Sequence, residues 1–186
     1  AEVDFIIELG DFCHPCDNNK KLLSIFNDFE KPHYHVIGNH DSDKYSKIEV
    51  MKWLGMESSY YSFVHGNIKF IVLDSAFIRY GNEYQAYYRR NYNETDGIYP
   101  SIPDYELKWL QREISESLLP IVIFSHHSLE NNFRKRGVSN RKEVQSILDK
   151  ATAEGKKILI CVNGHDHADS IDKLNETYYF SVNSMS

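Results

Sequence analysis

No run in this chain approaches the ~20 consecutive apolar residues that a membrane-spanning helix requires. Basic charge is also short: 21 Lys and Arg stand against 27 Asp and Glu, a net charge of −6. That balance gives no broad cationic track for bulk nucleic-acid binding, although a local basic patch stays open. A negatively charged phosphate substrate also stays open, because bound metal supplies positive charge that a residue count omits. Internal repeats and low-complexity segments are absent, and cysteine is scarce, three residues in all. Ala1-Glu2-Val3-Asp4 leads into what reads as an internal strand rather than a signal peptide, and the chain stops soon after another strand. The expectation is a single domain over residues 1–186, trimmed at both ends. With 41% hydrophobic and 26% charged residues, a chain of this length buries roughly 70% of its unfolded surface.

What is present is a recurring pairing of apolar runs with polar tips. Residues 4–9 run into Gly10-Asp11, and 34–37 into Gly38-Asn39-His40-Asp41. Residues 121–124 run into Ser125-His126-His127, and 158–162 into Asn163-Gly164-His165-Asp166-His167. A short buried strand ending in a polar loop delivers its last side chains to one edge of a sheet, where open α/β sheets place their ligand sites. Four such tips bearing Asp, Asn and His predict one shared site.

Seven strands are expected, over residues 4–9, 33–37, 60–64, 68–74, 121–124, 157–162 and 178–182. The near-continuous apolar runs at 68–73 and 121–124 suit strands covered on both faces. Gly66-Asn67 reads as part of a tight hairpin turn. Helices are expected over 19–29, 46–54, 104–117 and 141–154, the third carrying an apolar stripe of Leu107, Leu110, Ile114 and Leu118. Residues 79–103, rich in Tyr and Arg, fit neither period. Long loops of this kind are often functional, and Tyr88, Arg89 and Arg90 are candidate substrate-binding residues. A tyrosine-rich surface loop packed on the domain explains the same stretch.

Together, Gly10-Asp11, Gly38-Asn39-His40-Asp41, Ser125-His126 and Gly164-His165-Asp166-His167 resemble the calcineurin-like metallophosphoesterase superfamily, in order and in loop position. The resemblance implies an α/β fold, a two-sheet β-sandwich flanked by helices, here without its first strand. It implies a phosphodiesterase or phosphatase using two divalent or mixed-valence metal ions and a metal-bridging hydroxide that attacks phosphorus in line. Asp11 would bridge the ions, Asn39, His126 and His165 would bind one, and His167 the other. His40 would stabilise the transition state or protonate the leaving oxygen, with Asp41 orienting its imidazole. Manganese, iron and zinc all suit such ligands. The substrate would be a small phosphorylated molecule. Tyr60-Tyr61-Ser62-Phe63 and Ile71-Val72-Leu73-Asp74-Ser75 resemble single-domain enzymes acting on cyclic nucleotides or nucleoside diphosphate derivatives.

Two departures stand out. The family's opening Asp-X-His occurs nowhere in these residues, so the expectation is that it lies upstream. His14 stands where purple acid phosphatases carry an iron-binding tyrosine, which disfavours a tyrosinate–iron centre.

Singly, histidines are more often structural than ligating. That reading is kept for His33, His35 and His65, packing is preferred for His127, and Asp74 reads as a turn residue. Two rival classes remain. One is a degenerate binding module that kept the scaffold and lost a metal. The other is a thioredoxin-like oxidoreductase using Cys13 and Cys16, a C-X-X-C between a strand and a helical stretch.

Overall fold

The computed structural model describes residues 2–92, 98–131 and 136–184. These form three sheets and four helices. β1 (Ile6–Glu8) and β2 (His33–His35) make a parallel pair. The largest sheet holds β3 (Tyr61–His65), β4 (Ile68–Val72), β8 (Ile121–Ser125), β9 (Ile158–Asn163), β10 (Ser170–Leu174) and β11 (Thr177–Ser181). Its order is β10-β11-β9-β8-β4-β3. β4, β8, β9 and β11 run parallel, and β3 and β10 add to the two ends antiparallel. A three-stranded sheet joins β5 (Phe77–Tyr80), β6 (Glu83–Ala86) and β7 (Pro100–Ser101), with β5 in the middle.

The helices are α1 (Lys20–Asn27), α2 (Lys47–Leu54), α3 (Asp104–Glu116) and α4 (Arg141–Ala153). Leu107, Leu110 and Ile114 of α3 and Val144 and Leu148 of α4 pack with Ile71, Ile121 and Ile123 on one face of the large sheet. On its other face, Phe70, Val72, Val122 and Phe124 meet Ile7, Leu9 and Val36 from the β1–β2 side. Ile37 then packs with Val50 and Leu54 of α2, and Leu23 of α1 joins that cluster. The layers therefore run helix, sheet, sheet, helix, the α/β sandwich that the resemblance implied. β8 is buried at every position, as a strand covered on both faces must be.

All seven expected strands and all four helices form, with ends shifted by a few residues. Three features differ. Leu118 is not part of the α3 stripe: the helix ends at Glu116 and Leu118 is 96% exposed. The Tyr/Arg stretch is not wholly irregular, because β5 and β6 pair around Gly81-Asn82, a two-residue hairpin turn with Gly81 at φ +60°. Residues 93–97 of that stretch lie outside the described residues. β10 is an edge strand with a polar, half-exposed pattern, so it carries too little apolar signal to stand out.

This topology positions the site. β1 and β2 end at residues 8 and 35, and β4, β8 and β9 at 72, 125 and 163. The loops that follow carry Asp11, Asn39, Ser75, His126 and His165.

Candidate metal centre

His126 is the hub. Its Nδ1 lies 2.7 Å from the Leu9 carbonyl oxygen, which only accepts, so the ring hydrogen sits there and Nε2 faces inward. Around Nε2 converge Asn39 Oδ1 at 3.0 Å, His165 Nδ1 at 3.1 Å and Asp11 Oδ2 at 3.2 Å. Ligand bonds of ~2.0–2.2 Å to one ion place neighbouring donors ~3.0–3.5 Å apart. The observed separations fall in that range.

The donor chemistry leads to the same conclusion. Asp11 and Asn39 aim acceptor oxygens at Nε2, so a neutral His126 would set lone pair against lone pair. Burial opposes charge on this imidazole, yet the Asp11 carboxylate overrides it and pushes His126 up to about 9. Burial likewise opposes charge on Asp11, but His126 wins and holds its carboxyl far below the usual range. A proton shared in this way is the metal-free answer to a cluster of acceptors; a cation answers it with more charge. Burial and the neighbouring His126 hold His165 near 3, neutral and able to ligate. The residues present therefore fit a divalent ion.

The local backbone is unusual where it needs to be. Asp11 and His165 sit at φ 61° and 63°, in the left-handed region that costs a non-glycine residue of order 1 kcal/mol. Gly10, at φ +95°, passes so close to His126 that a Cβ there would strike its ring nitrogen. A Cβ on Gly38 would collide with the backbone and carboxylate of Asp11. These two glycines let the loops after β1 and β2 touch.

Asp11, Asn39, His126 and His165 are brought together. His167 is exposed at φ 51°, with no hydrogen bond, ion pair or ring contact among the described residues. His127, expected to pack, is buried with its ring 4.4 Å from that of His165, and it offers a third imidazole within 4.8 Å of His126 and His165. Ser75 holds it, the hydroxyl lying 2.8 Å from Nδ1 and accepting the His127 amide at 3.1 Å.

Two carboxylates lie near His40: Asp41, which was expected to orient its imidazole, and Asp43, which carried no expectation. Asp41 does not orient the imidazole. It is buried, and its Oδ2 accepts the amides of Gly38 at 2.9 Å and Asp11 at 3.0 Å, tying the two loops together. Burial first, then Glu8 and Asp11, push it up to about 8. Asp43 pairs with His40 instead, Oδ2 lying 3.0 Å from Nδ1. A 3-10 turn over His40–Ser42 explains the choice, since it eclipses side chains three residues apart. That spacing was the available signal for Asp43. Tyr92 and Arg136 had none: the Tyr92 hydroxyl reaches Asp43 and His40, and Arg136 donates to the His165 carbonyl at 3.1 Å.

Of the loop residues, Arg90 lies beside this group, its Nε donating to Asp43 Oδ2 at 2.9 Å, while Arg89 rests over the Tyr88 ring at 5.0 Å. Asp74 is buried and pairs with Lys47 Nζ at 2.6 Å. Cys13 and Cys16 are free thiols. Burial pushes the Cys13 thiol up, away from the thiolate that a redox nucleophile needs.

The fold has relatives among solved structures. A dimetal phosphatase from Danio rerio is similar at a TM-score of 0.73 and 15% identity, over 97% of this chain and 72% of that one. GAP50, the anchor in the inner membrane complex of Plasmodium, is similar at 0.63 and 15%, over 98% of this chain and 62% of that one. A phosphopantetheinyl hydrolase from Mycobacterium tuberculosis is similar at 0.58 and 14%, over 96% and 79%. No curated protein sequence matches. The profile of the calcineurin-like phosphoesterases matches residues 1–169, which spans every loop described above, and the chain belongs to that family.

Proposed function

We propose that the chain, taken as one catalytic domain over residues 1–186, hydrolyses phosphate esters with the aid of bound divalent metal. The observation that carries this reading is the convergence of Asp11, Asn39 and His165 on His126 Nε2 within 3.0–3.2 Å. Those four residues would hold one ion, and Asp11 with His167 would contribute to a second. Manganese, iron and zinc are the candidates, since carboxylate, amide and imidazole donors suit all three. When bound, such ions supply Lewis-acid charge and an activated water.

The chain's own groups do the rest. The backbone amide of His40 donates to Asp11 Oδ1 at 2.7 Å, which ties an exposed imidazole to the buried cluster. His40 is the proton donor to the leaving oxygen, and Asp41 holds the loop that carries it. Arg90, Arg89 and Tyr88 offer two cations and an aromatic face for a small phosphorylated substrate, a nucleotide among them. The phosphatase and hydrolase identities of two structural relatives support the same reaction class.

Metal content by elemental analysis and turnover of p-nitrophenyl phosphate and its bis-ester test this reading. The manganese-, iron- or zinc-loaded protein is expected to turn over at least one ester, and His126→Ala to lose both metal and activity. The exposure of His167 favours a second reading, a scaffold that binds one ion without chemistry. One ion per chain with no turnover of either ester would establish that reading over the first.

A further inference from the structure

We propose that Arg136 is a specificity residue of this site, a guanidinium that binds the terminal oxygens of a phosphate monoester and so favours that dianion over a diester. The inference rests on the phosphoesterase reading and deepens it by naming the substrate class. Arg136 reaches the centre from the segment between β8 and α4, and the return of that segment is pinned. The Val138 amide donates to the Ser128 carbonyl at 2.9 Å, directly after His126 and His127. Val138 is fully buried in the core cluster beneath α3 and α4, and the Ser139 amide donates to the Pro100 carbonyl at 2.7 Å. Two residues before that anchor, Arg136 is held at the rim of the site.

The contacts of the guanidinium show what it can still bind. Nη2 donates to the His165 carbonyl at 3.1 Å, which ties it to the backbone of a candidate ligand. Nε lies 4.0 Å from Asp166 Oδ1, beyond hydrogen-bond reach, and that oxygen is buried with no hydrogen-bond partner among the described residues. The close bond of Arg136 therefore goes to a neutral carbonyl, and no carboxylate neutralises its charge at contact distance. Arg90 differs, because the Asp43 carboxylate holds its Nε at 2.9 Å. With the Arg136 side chain 46% exposed, a fork of five N–H donors has room for an incoming anion. Its field also reaches the centre. After burial and His126, Arg136 is the next influence opposing charge on His165, and His40 acts on the same ring. A phosphoryl group at the centre is thus within electrostatic reach of both Arg136 and His40.

Ester type decides how strongly a guanidinium there can act. A monoester presents three terminal oxygens and carries close to two negative charges at neutral pH, whereas a diester presents two and carries one. The planar N–H pairs of an arginine match adjacent phosphoryl oxygens, and the attraction grows with the charge of the anion.

Metal-loaded wild type, Arg136→Gln and Arg136→Lys are compared on p-nitrophenyl phosphate and its bis-ester, with inorganic phosphate as inhibitor. Arg136→Gln is expected to raise the KM of the monoester and the inhibition constant of phosphate by about 10-fold, the scale of one charge-assisted hydrogen bond. Its kcat on the monoester and its metal content should change little, as when an interaction is made equally in ground and transition states. The KM of the bis-ester should rise by about 3-fold at most, because that anion carries less charge. Arg136→Lys keeps the charge without the planar fork, so it should fall between wild type and Arg136→Gln, and it carries the test if Arg136→Gln fails to fold. Equal losses on both esters would mean that Arg136 only braces the loop after β9, and would overturn the proposal. So would an unchanged monoester KM, departure of the metal, or turnover of the bis-ester alone. If the wild type turns over neither ester, the phosphoesterase reading fails instead. Calorimetry with inorganic phosphate then decides this inference separately: the metal-loaded wild type should bind it about 10-fold more tightly than Arg136→Gln. Equal binding by the two, or none by the wild type, would refute it.

Discussion

Asp41 and Asp43 stand two residues apart and do unrelated work, and burial separates them. Asp41 faces inward, and its Oδ2 takes two backbone amides from different loops. Removing a buried acceptor leaves each donor unsatisfied, at a cost of about 1–3 kcal/mol per group. Asp41→Ala should therefore lower unfolding free energy by at least about 2 kcal/mol on that scale, whereas Asp41→Asn, which keeps an acceptor oxygen, should lose less. Urea denaturation of the two variants measures this. Equal losses would mean that charge, rather than hydrogen bonding, is what Asp41 contributes.

At the level of elements, a buried clamp joins α2, the end of β4 and α3. Lys47 Nζ bonds Asp74 Oδ2 at 2.6 Å and the Ala76 carbonyl at 2.9 Å, and Glu106 Oε1 accepts the Asp74 amide at 2.8 Å. Burial, reinforced by Asp74, raises Glu106 well above the usual carboxylate range. A carboxyl raised on folding contributes its stability fully below the ordinary carboxylate range and loses it as pH climbs through the raised value. Glu106→Gln keeps the acceptor and stays neutral. The wild type should thus lose stability relative to Glu106→Gln as pH rises above the ordinary carboxylate range, read as a widening gap in urea midpoints. Parallel curves would show that Glu106 is already ionised in the folded protein.

Across the whole molecule, the candidate metal centre draws on loops that follow β1, β2, β8 and β9, so it bridges the β1–β2 pair and the large sheet. An ion there binds the folded chain and finds no assembled site in the unfolded one. Saturating metal at about 100-fold over its dissociation constant adds about 2.7 kcal/mol. Manganese or zinc should raise Tm by several degrees, a chelator should reverse the rise, and His165→Ala should abolish it. A Tm indifferent to metal and chelator would mean that the loops do not close on an ion.

Much was legible because the carriers are local. Apolar runs mark β4, β8 and β9, a Ser46–Glu49 capping box opens α2, and glycine-bounded tips follow the strands. Each depends on neighbouring residues, and the sequence contains those directly. The hairpin of β5 and β6 was legible too, in Gly81-Asn82, but aromatic and arginine content hid it.

Chain order by itself determined that Asp11, Asn39, His126 and His165 end up at strand tips, because a strand can stop only where its apolar pattern stops. Tertiary structure decided which tips touch: it left His167 exposed, drew His127 toward the cluster, and gave His40 to Asp43 and Tyr92 rather than to Asp41. Those outcomes hang on distances of about 3 Å between residues up to 117 positions apart. No local rule encodes such distances, because they are set by how sheets and helices pack.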